Sequence, residues 1–73
     1  MVNASLENRK KLGQQIQRIR KSLNHSQEDL AYTIGISRTH MGHIEQGRKS
    51  PSLEVLQAIA KVFKMKVSDL IPF

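Results

Sequence analysis

Apolar residues recur along the chain with the period of an α-helix, and the alternation typical of a β-strand is nearly absent. The first apolar stripe, spaced i, i+4, i+7 and i+11, consists of Leu12, Ile16, Ile19 and Leu23. Polar and basic residues occupy the opposite face: Lys10, Gln14, Arg18 and Lys21. This amphipathic pattern predicts a first helix over residues 5–23 with its apolar stripe turned toward a core.

Serines placed just before apolar helical periods indicate where further helices begin. Ser26, Ser37 and Ser52 each stand at such a point. Serine is a preferred N-cap because its hydroxyl accepts a hydrogen bond from a backbone N–H that the helix itself leaves unpaired. A last single turn is expected to begin at Ser68 or Asp69. The pattern therefore predicts five short helices in an all-α bundle.

The second and third helices are joined by a short turn that contains glycine, which is the pattern of a helix-turn-helix. Gly35 follows the second helix and permits a sharp reversal. Ala31 is small where the two helices must approach closely. Larger apolar residues fill the wedge between the two helices: Ile34, Ile36, Met41 and Ile44. The third helix stops at Gly47, so residues 26–47 form the predicted helix-turn-helix.

A chain of 73 residues has room for one small domain, which we place at residues 1–73. It has no cysteine, which excludes disulfides and thiolate metal sites. No apolar run is long enough to span a bilayer, and the basic N-terminal sequence has no apolar stretch behind it that would make a secretory signal. We therefore expect a cytoplasmic location.

Basic residues outnumber acidic ones by 12 to 6, and the net charge is +6. The excess lies in the first third of the chain, where residues 1–25 carry six Lys and Arg against Glu7 alone, so 6 − 1 = +5. A small basic domain attracts polyanions, of which nucleic acid is the commonest in a cell. The same charge is compatible with RNA or with an anionic membrane surface, so it does not choose among these partners.

Four motifs occur in order along the chain, and together they cover most of it. They are Leu12-Gly13-x-x-Ile16-x-x-Ile19-Arg20, Ser26-Gln27-Glu28-Asp29-Leu30-Ala31, Ile34-Gly35-Ile36-Ser37 and Ile44-Glu45-x-Gly47-Arg48-x-x-Pro51-Ser52-Leu53-x-x-Leu56. In these motifs the chain resembles the Cro/cI-type (Xre-like) helix-turn-helix family of phage repressors and bacterial regulators. Residues 36–40 are also similar to the small controller proteins of restriction–modification systems. The resemblance implies a compact five-helix domain of the lambda-repressor-like fold.

The resemblance further implies that the third helix, about residues 38–46, enters the major groove of DNA. The family's base-reading positions match Arg38, Thr39 and His43, and its phosphate contact at the start of the second helix falls on Gln27. The complete expected DNA-binding set is Gln27, Ser37, Arg38, Thr39, His40, His43, Gln46, Arg48 and Lys49. Gly42, in the middle of this helix, either lets the backbone approach DNA or is a small residue tolerated at the surface.

Two further sets of residues have structural interpretations. At the positions of Arg20 and Glu45 the family commonly has an ion pair that braces the first helix against the third, so the resemblance implies a structural role for both. The large apolar residues near the C-terminus are either core residues or an interface for a second copy: Phe63, Leu70, Ile71 and Phe73. We assign them to the interface of a homodimer.

The sequence therefore predicts a DNA-binding transcriptional regulator without enzymatic activity, cofactor, metal ion or small-molecule effector. We expect a nucleoid-associated homodimer on a nearly palindromic operator, with contact to RNA polymerase as one route of regulation. His40 and His43 are three residues apart, but no cysteine or acidic cluster accompanies them as metal ligands. One alternative is a protein-interaction module, either an antitoxin or an adaptor, and another is nonspecific binding of RNA or a membrane surface through the first helix.

Overall fold

The computed structural model describes the backbone of residues 2–73 and the side chains of residues 6–73. Over this range it is helical without any strand, which confirms the predicted all-α class. The five helices are α1 (Val2–Ser22), α2 (Gln27–Ile34), α3 (Arg38–Glu45), α4 (Leu53–Val62) and α5 (Val67–Leu70). Met1 and the side chains of residues 2–5 lie outside the described residues. The part of the expectation on a secretory signal that concerns them is therefore outside the described residues as well.

The three predicted serine caps are present. The hydroxyl oxygens of Ser26, Ser37 and Ser52 accept hydrogen bonds from the backbone N–H three residues later, at 2.9, 3.0 and 3.1 Å. At the other end of α2, Gly35 adopts the left-handed conformation with φ 79°, and its N–H bonds to carbonyl oxygens of the last turn. These local bonds set the direction in which α2 and α3 leave the turn between them.

The predicted boundaries differ from the structure at α1 and α5. α1 runs from Val2 to Ser22, and Leu23 lies beyond its end with 46% of its surface exposed. The apolar stripe therefore stops at Ile19, because the chain leaves the helix before Leu23 can face the core. α5 begins at Val67 and not at Ser68 or Asp69; the carboxylate of Asp69 accepts a hydrogen bond from the N–H of Lys66 at 3.4 Å.

All five helices contribute to one cluster of buried apolar side chains. Its members are Leu12, Ile16, Leu30, Ala31, Met41, Ile44, Ile59, Ala60, Phe63 and Leu70. The assignment of Phe63 and Leu70 to a dimer interface is wrong, because both are core residues, 5% and 0% exposed. Of the predicted set, Phe73 is exposed and Ile71 is half-buried, and both retain apolar surface outside the core.

α1 and α3 approach each other so closely that their backbones touch at Gly13. A methyl group at this position would lie 2.5 Å from the carbonyl oxygen of Glu45 and would also meet the carbonyl oxygen of Ile44. Any side chain at position 13 would therefore push the two helices apart. The absence of a side chain at Gly13 thus fixes how near the C-terminal half of α3 lies to α1.

A buried ion pair fixes the same two helices a little further along. The Arg20 Nε and Nη2 atoms donate to the Glu45 carboxylate at 2.7 and 3.1 Å, and Nη1 donates to the carbonyl oxygen of His25 at 2.8 Å. Both charged residues are buried. The two-point geometry restricts rotation of α3 about its own axis as well as its distance from α1.

Replacing Gly13 with alanine is expected to destabilise the protein although alanine favours helices. The clash with carbonyl groups of α3 should lower the free energy of unfolding by about 1–3 kcal/mol, as overpacking does elsewhere. Gly42→Ala is the matched control, because a methyl group there would meet only the side-chain amide of Gln27, at 3.7 Å from Oε1 and 3.9 Å from Nε2. This control should gain up to about 1 kcal/mol from helix propensity. Urea unfolding followed by circular dichroism measures both; equal stability of the two variants would contradict the account.

Removing one partner of the buried ion pair should lower the free energy of unfolding by more than replacing both partners with apolar residues does. Glu45→Ala leaves the Arg20 guanidinium buried without its partner, and we expect a loss of about 3–5 kcal/mol of unfolding free energy. The double variant Arg20→Met/Glu45→Leu fills the same space with apolar atoms and should recover most of that loss. Unfolding curves of the unaltered protein and the two variants give the loss of unfolding free energy in each case. If the double variant is as unstable as Glu45→Ala, the unpaired charge of Arg20 is not the cause of the lost stability.

Candidate nucleic-acid interface

The first turn of α2 and the outer face of α3 border a shallow concave surface of about 410 Å³, which we call the α3 concavity. Its lining residues are Gln27, Arg38, Thr39, Gly42, His43, Gln46 and Arg48. Six of these seven were expected to bind DNA from the sequence, and the structure brings those six together. The seventh lining residue is Gly42, which has no side chain.

The orientation of α3 follows from its buried face. Met41 and Ile44 are 0% and 1% exposed and pack into the core. Successive residues of a helix are rotated by about 100°, so the positions between and opposite them face away from the core. Thr39 and Gln46 are accordingly exposed, and His43 is half-buried at the rim. The apolar stripe of α3 thus determines which polar side chains are presented outward.

Arg38 and Thr39 are the first two residues of α3, and both are exposed. The Ser37 cap holds this helix start, so the two side chains leave the backbone from a fixed point. The lining of the α3 concavity contains two arginines, Arg38 and Arg48, and no carboxylate. The surface is therefore suited to anionic or hydrogen-bond-accepting groups.

Gln27 has a second role that sequence reasoning missed. Its side-chain Nε2 donates to Glu45 Oε1 at 3.0 Å, so the carboxylate that pairs with Arg20 also holds the start of α2. The amide lies beside Gly42, within 3.9 Å of where a Cβ would be. Gln27 and Glu45 are 18 residues apart, and no local spacing rule connects them. The backbone N–H of Gln27, at the first position of α2, has no acceptor within the helix.

Three of the expected residues lie outside the lining. The hydroxyl of Ser37 accepts the hydrogen bond that caps α3. His40 is half-buried beside the α3 concavity, and Lys49 is exposed in the turn beyond it. The structure therefore does not bring these three together with the six that line the α3 concavity.

The described residues contain no group of three or more His, Asp or Glu side chains arranged to hold a metal ion. Over the same residues, no helix combines the length and the apolar character needed to cross a membrane.

Comparison with known proteins identifies the family. Residues 16–70 match the helix-turn-helix family HTH_3. An HTH-type transcriptional regulator of Archaeoglobus fulgidus is 36% identical over 58 residues, which are 80% of this chain and 82% of that protein. The control protein C.BamHI of Bacillus amyloliquefaciens is 37% identical over 62 residues, 84% of this chain and 76% of that protein.

The fold agrees with a solved structure of the same kind. The crystal structure of the restriction-modification controller protein C.AhdI from Aeromonas hydrophila matches with a TM-score of 0.79 and 30% identity, covering 84% of this chain and 92% of that one. Both resemblances expected from the sequence, to Xre-like regulators and to controller proteins, are confirmed. The relatives are regulators and not enzymes. The chain belongs to the helix-turn-helix family of DNA-binding transcriptional regulators.

Proposed function

We propose that this protein is a sequence-specific regulator that places α3 in the major groove of duplex DNA. The observation that carries the proposal is the α3 concavity, which collects six hydrogen-bonding or basic side chains from the outer face of α3, the start of α2 and the turn after α3. The major groove admits a single helix, and base edges there present donors and acceptors in a distinct pattern for each pair. An outer face of this composition, on a helix that Gly13 and the Arg20–Glu45 pair hold in place, fits that groove.

The start of α3 reads bases in this proposal. The Arg38 guanidinium is exposed and can form two hydrogen bonds with the O6 and N7 atoms of guanine. Thr39 presents a methyl group to a thymine methyl, and His43 reaches a base acceptor or a phosphate from the next turn. Gln46 and His40 extend the contacts along the groove on either side. Side chains leaving a fixed backbone lose less conformational entropy on binding than those of a mobile loop.

Phosphate contacts flank the base-reading helix. The N–H of Gln27 lies at the N-terminus of α2, where the helix dipole favours an anion. The hydroxyl of Ser37 accepts the capping bond and still has a proton to donate to a phosphate oxygen. Arg48 and Lys49 follow α3 and bind the backbone on the other side. Such contacts set the register of the protein on the duplex but carry little sequence information.

The working species in this proposal is a homodimer on a nearly palindromic operator. A domain of this size buries only about 60% of the surface that its unfolded chain exposes, less than a larger domain does, and a second copy adds to what is buried. Ile71 and Phe73 offer apolar surface for that contact. Two α3 helices about 34 Å apart would then read successive major grooves on one face of the duplex. Regulation follows from occupying a promoter or from touching RNA polymerase bound beside it.

Arg38→Ala should change which sequences the protein selects from random duplex DNA. The guanine preference at one position of each half-site should disappear, and affinity for the original site should fall by about 1–3 kcal/mol per half-site. Arg18→Ala is the matched control, because Arg18 is an exposed arginine of α1 outside the α3 concavity. It should leave the selected sequence unchanged. Recovery of the same site by Arg38→Ala would refute the assignment of base readout to this residue.

The affinity for the selected duplex should depend steeply on salt. A protein that contacts six to ten phosphates loses about 10³–10⁵-fold in affinity between 50 and 200 mM salt, because binding releases condensed counterions. Fluorescence anisotropy with the selected duplex measures this slope, with a scrambled duplex as the control. Binding that is nearly independent of salt would instead support an interaction module for polypeptide partners, and equal affinity for both duplexes would contradict sequence-specific recognition.

A further inference from the structure

The N-terminal half of α1 lies against the turn that follows α3. Gly47 in this turn has φ 77°, and a methyl group on it would lie 2.9 Å from the Cα and 2.7 Å from the Cγ of Lys10. Arg9 Nε donates to the carbonyl oxygen of Gly47 at 3.3 Å. Two basic residues of α1 are thus held beside residue 47, although nearly forty positions separate them in the sequence.

The same turn carries two more cations. The backbone N–H groups of Arg48 and Lys49 both bond to the carbonyl oxygen of His43, at 2.9 and 3.3 Å. These bonds fold the turn back onto the last turn of α3, so that Arg48 reaches the α3 concavity. The C-terminal end of α3 is therefore surrounded by four basic residues, which we call the basic cluster: Arg9, Lys10, Arg48 and Lys49.

The charge of the basic cluster is not neutralised by carboxylates. Among residues 6–73, the ion pair that the structure contains is Arg20–Glu45, which does not involve the cluster. Lys10, Arg48 and Lys49 are exposed, and Arg9 is half-buried. Four uncompensated positive charges at one end of a helix repel one another, and binding of a polyanion relieves this repulsion.

Within residues 6–73, of the four side chains in the basic cluster, only that of Arg9 forms a hydrogen bond that stabilises the fold. The C-terminal end of a helix carries partial negative charge, and the Arg9 bond to Gly47 is a favourable contact of that kind. It uses one of the five N–H donors of the guanidinium and leaves the other four for further acceptors. The exposed ammonium group of Lys10 is not needed for the contact of its stem with Gly47.

We propose that Arg9 and Lys10 bind backbone phosphates of the same duplex that α3 reads, next to those bound by Arg48 and Lys49. This inference rests on the proposed function and extends it. The interface then includes the N-terminal half of α1 in addition to α3 and the turns beside it. Because phosphates are the same at every step of the duplex, these two residues strengthen binding without selecting sequence.

The double variant Arg9→Gln/Lys10→Gln tests this proposal. Glutamine keeps an N–H donor for Gly47 and part of each aliphatic stem while removing the charge. Lys61→Gln/Lys64→Gln is the matched control, because it removes the same net charge from exposed residues of α4 and the turn after it, and α4 packs on α2 and α5. Circular dichroism and sedimentation verify that all proteins fold and assemble alike, and anisotropy with the selected duplex is measured from 50 to 200 mM salt.

The expected result is a shallower salt dependence for Arg9→Gln/Lys10→Gln. Each lost phosphate contact makes the slope of log affinity against log salt shallower by about 0.9, so the two contacts of each subunit make it shallower by about 1.8 per subunit, or about 3.6 for the dimer. Affinity at 0.1 M salt should fall about tenfold or more, with an unchanged selected sequence. A slope and affinity equal to those of the control variant would overturn the proposal.

A single variant and the unaltered protein separate the remaining outcomes. Lys10→Gln alone keeps the bond between Arg9 and Gly47, and it should make the slope shallower by about 0.9 per subunit, or about 1.8 for the dimer, even where the double variant folds poorly. An unchanged slope for this single variant would likewise refute a phosphate contact by Lys10. If the unaltered protein showed no preference for any duplex, the proposed function itself would fail, independently of the basic cluster.

Discussion

The buried carboxylate of Glu45 ties three helices together, and the position of the α3 concavity depends on it. It accepts two hydrogen bonds from Arg20 of α1 and one from Gln27 of α2, at 2.7, 3.1 and 3.0 Å. A buried charge is costly unless it is paired and hydrogen-bonded, so any movement of α3 that breaks these bonds is opposed. Together with the backbone contact at Gly13, this carboxylate specifies the distance and the rotation of α3.

This arrangement separates the residues that support α3 from those that it presents. Met41, Ile44 and Glu45 are buried and hold the helix, while Arg38 and Thr39 are exposed and line the α3 concavity. Residues of the outer face can therefore vary with little effect on the fold, and the same support can serve different base sequences. Gln27 connects the two groups, since it bonds to Glu45 and also lines the α3 concavity.

Whether an interaction could be predicted from the sequence depends on how far apart its residues lie along the chain. The serine caps and the turn at Gly35 are local, and all of them could be predicted from neighbouring residues. The exposure of Leu23 could not, because an apolar stripe does not show where the chain leaves the helix. The bond between Gln27 and Glu45, and the contact of Arg9 with Gly47, join distant residues that no local pattern connects.

The most direct test of this account is the change in backbone amide NMR shifts when the protein is titrated with a duplex that it has selected. The account predicts that the largest changes fall on the start of α2, on residues 38–49 and on Arg9 and Lys10, with the core of α4 little affected. Changes confined to α4, α5 and the C-terminal residues, with the amides of α3 unmoved, would contradict it.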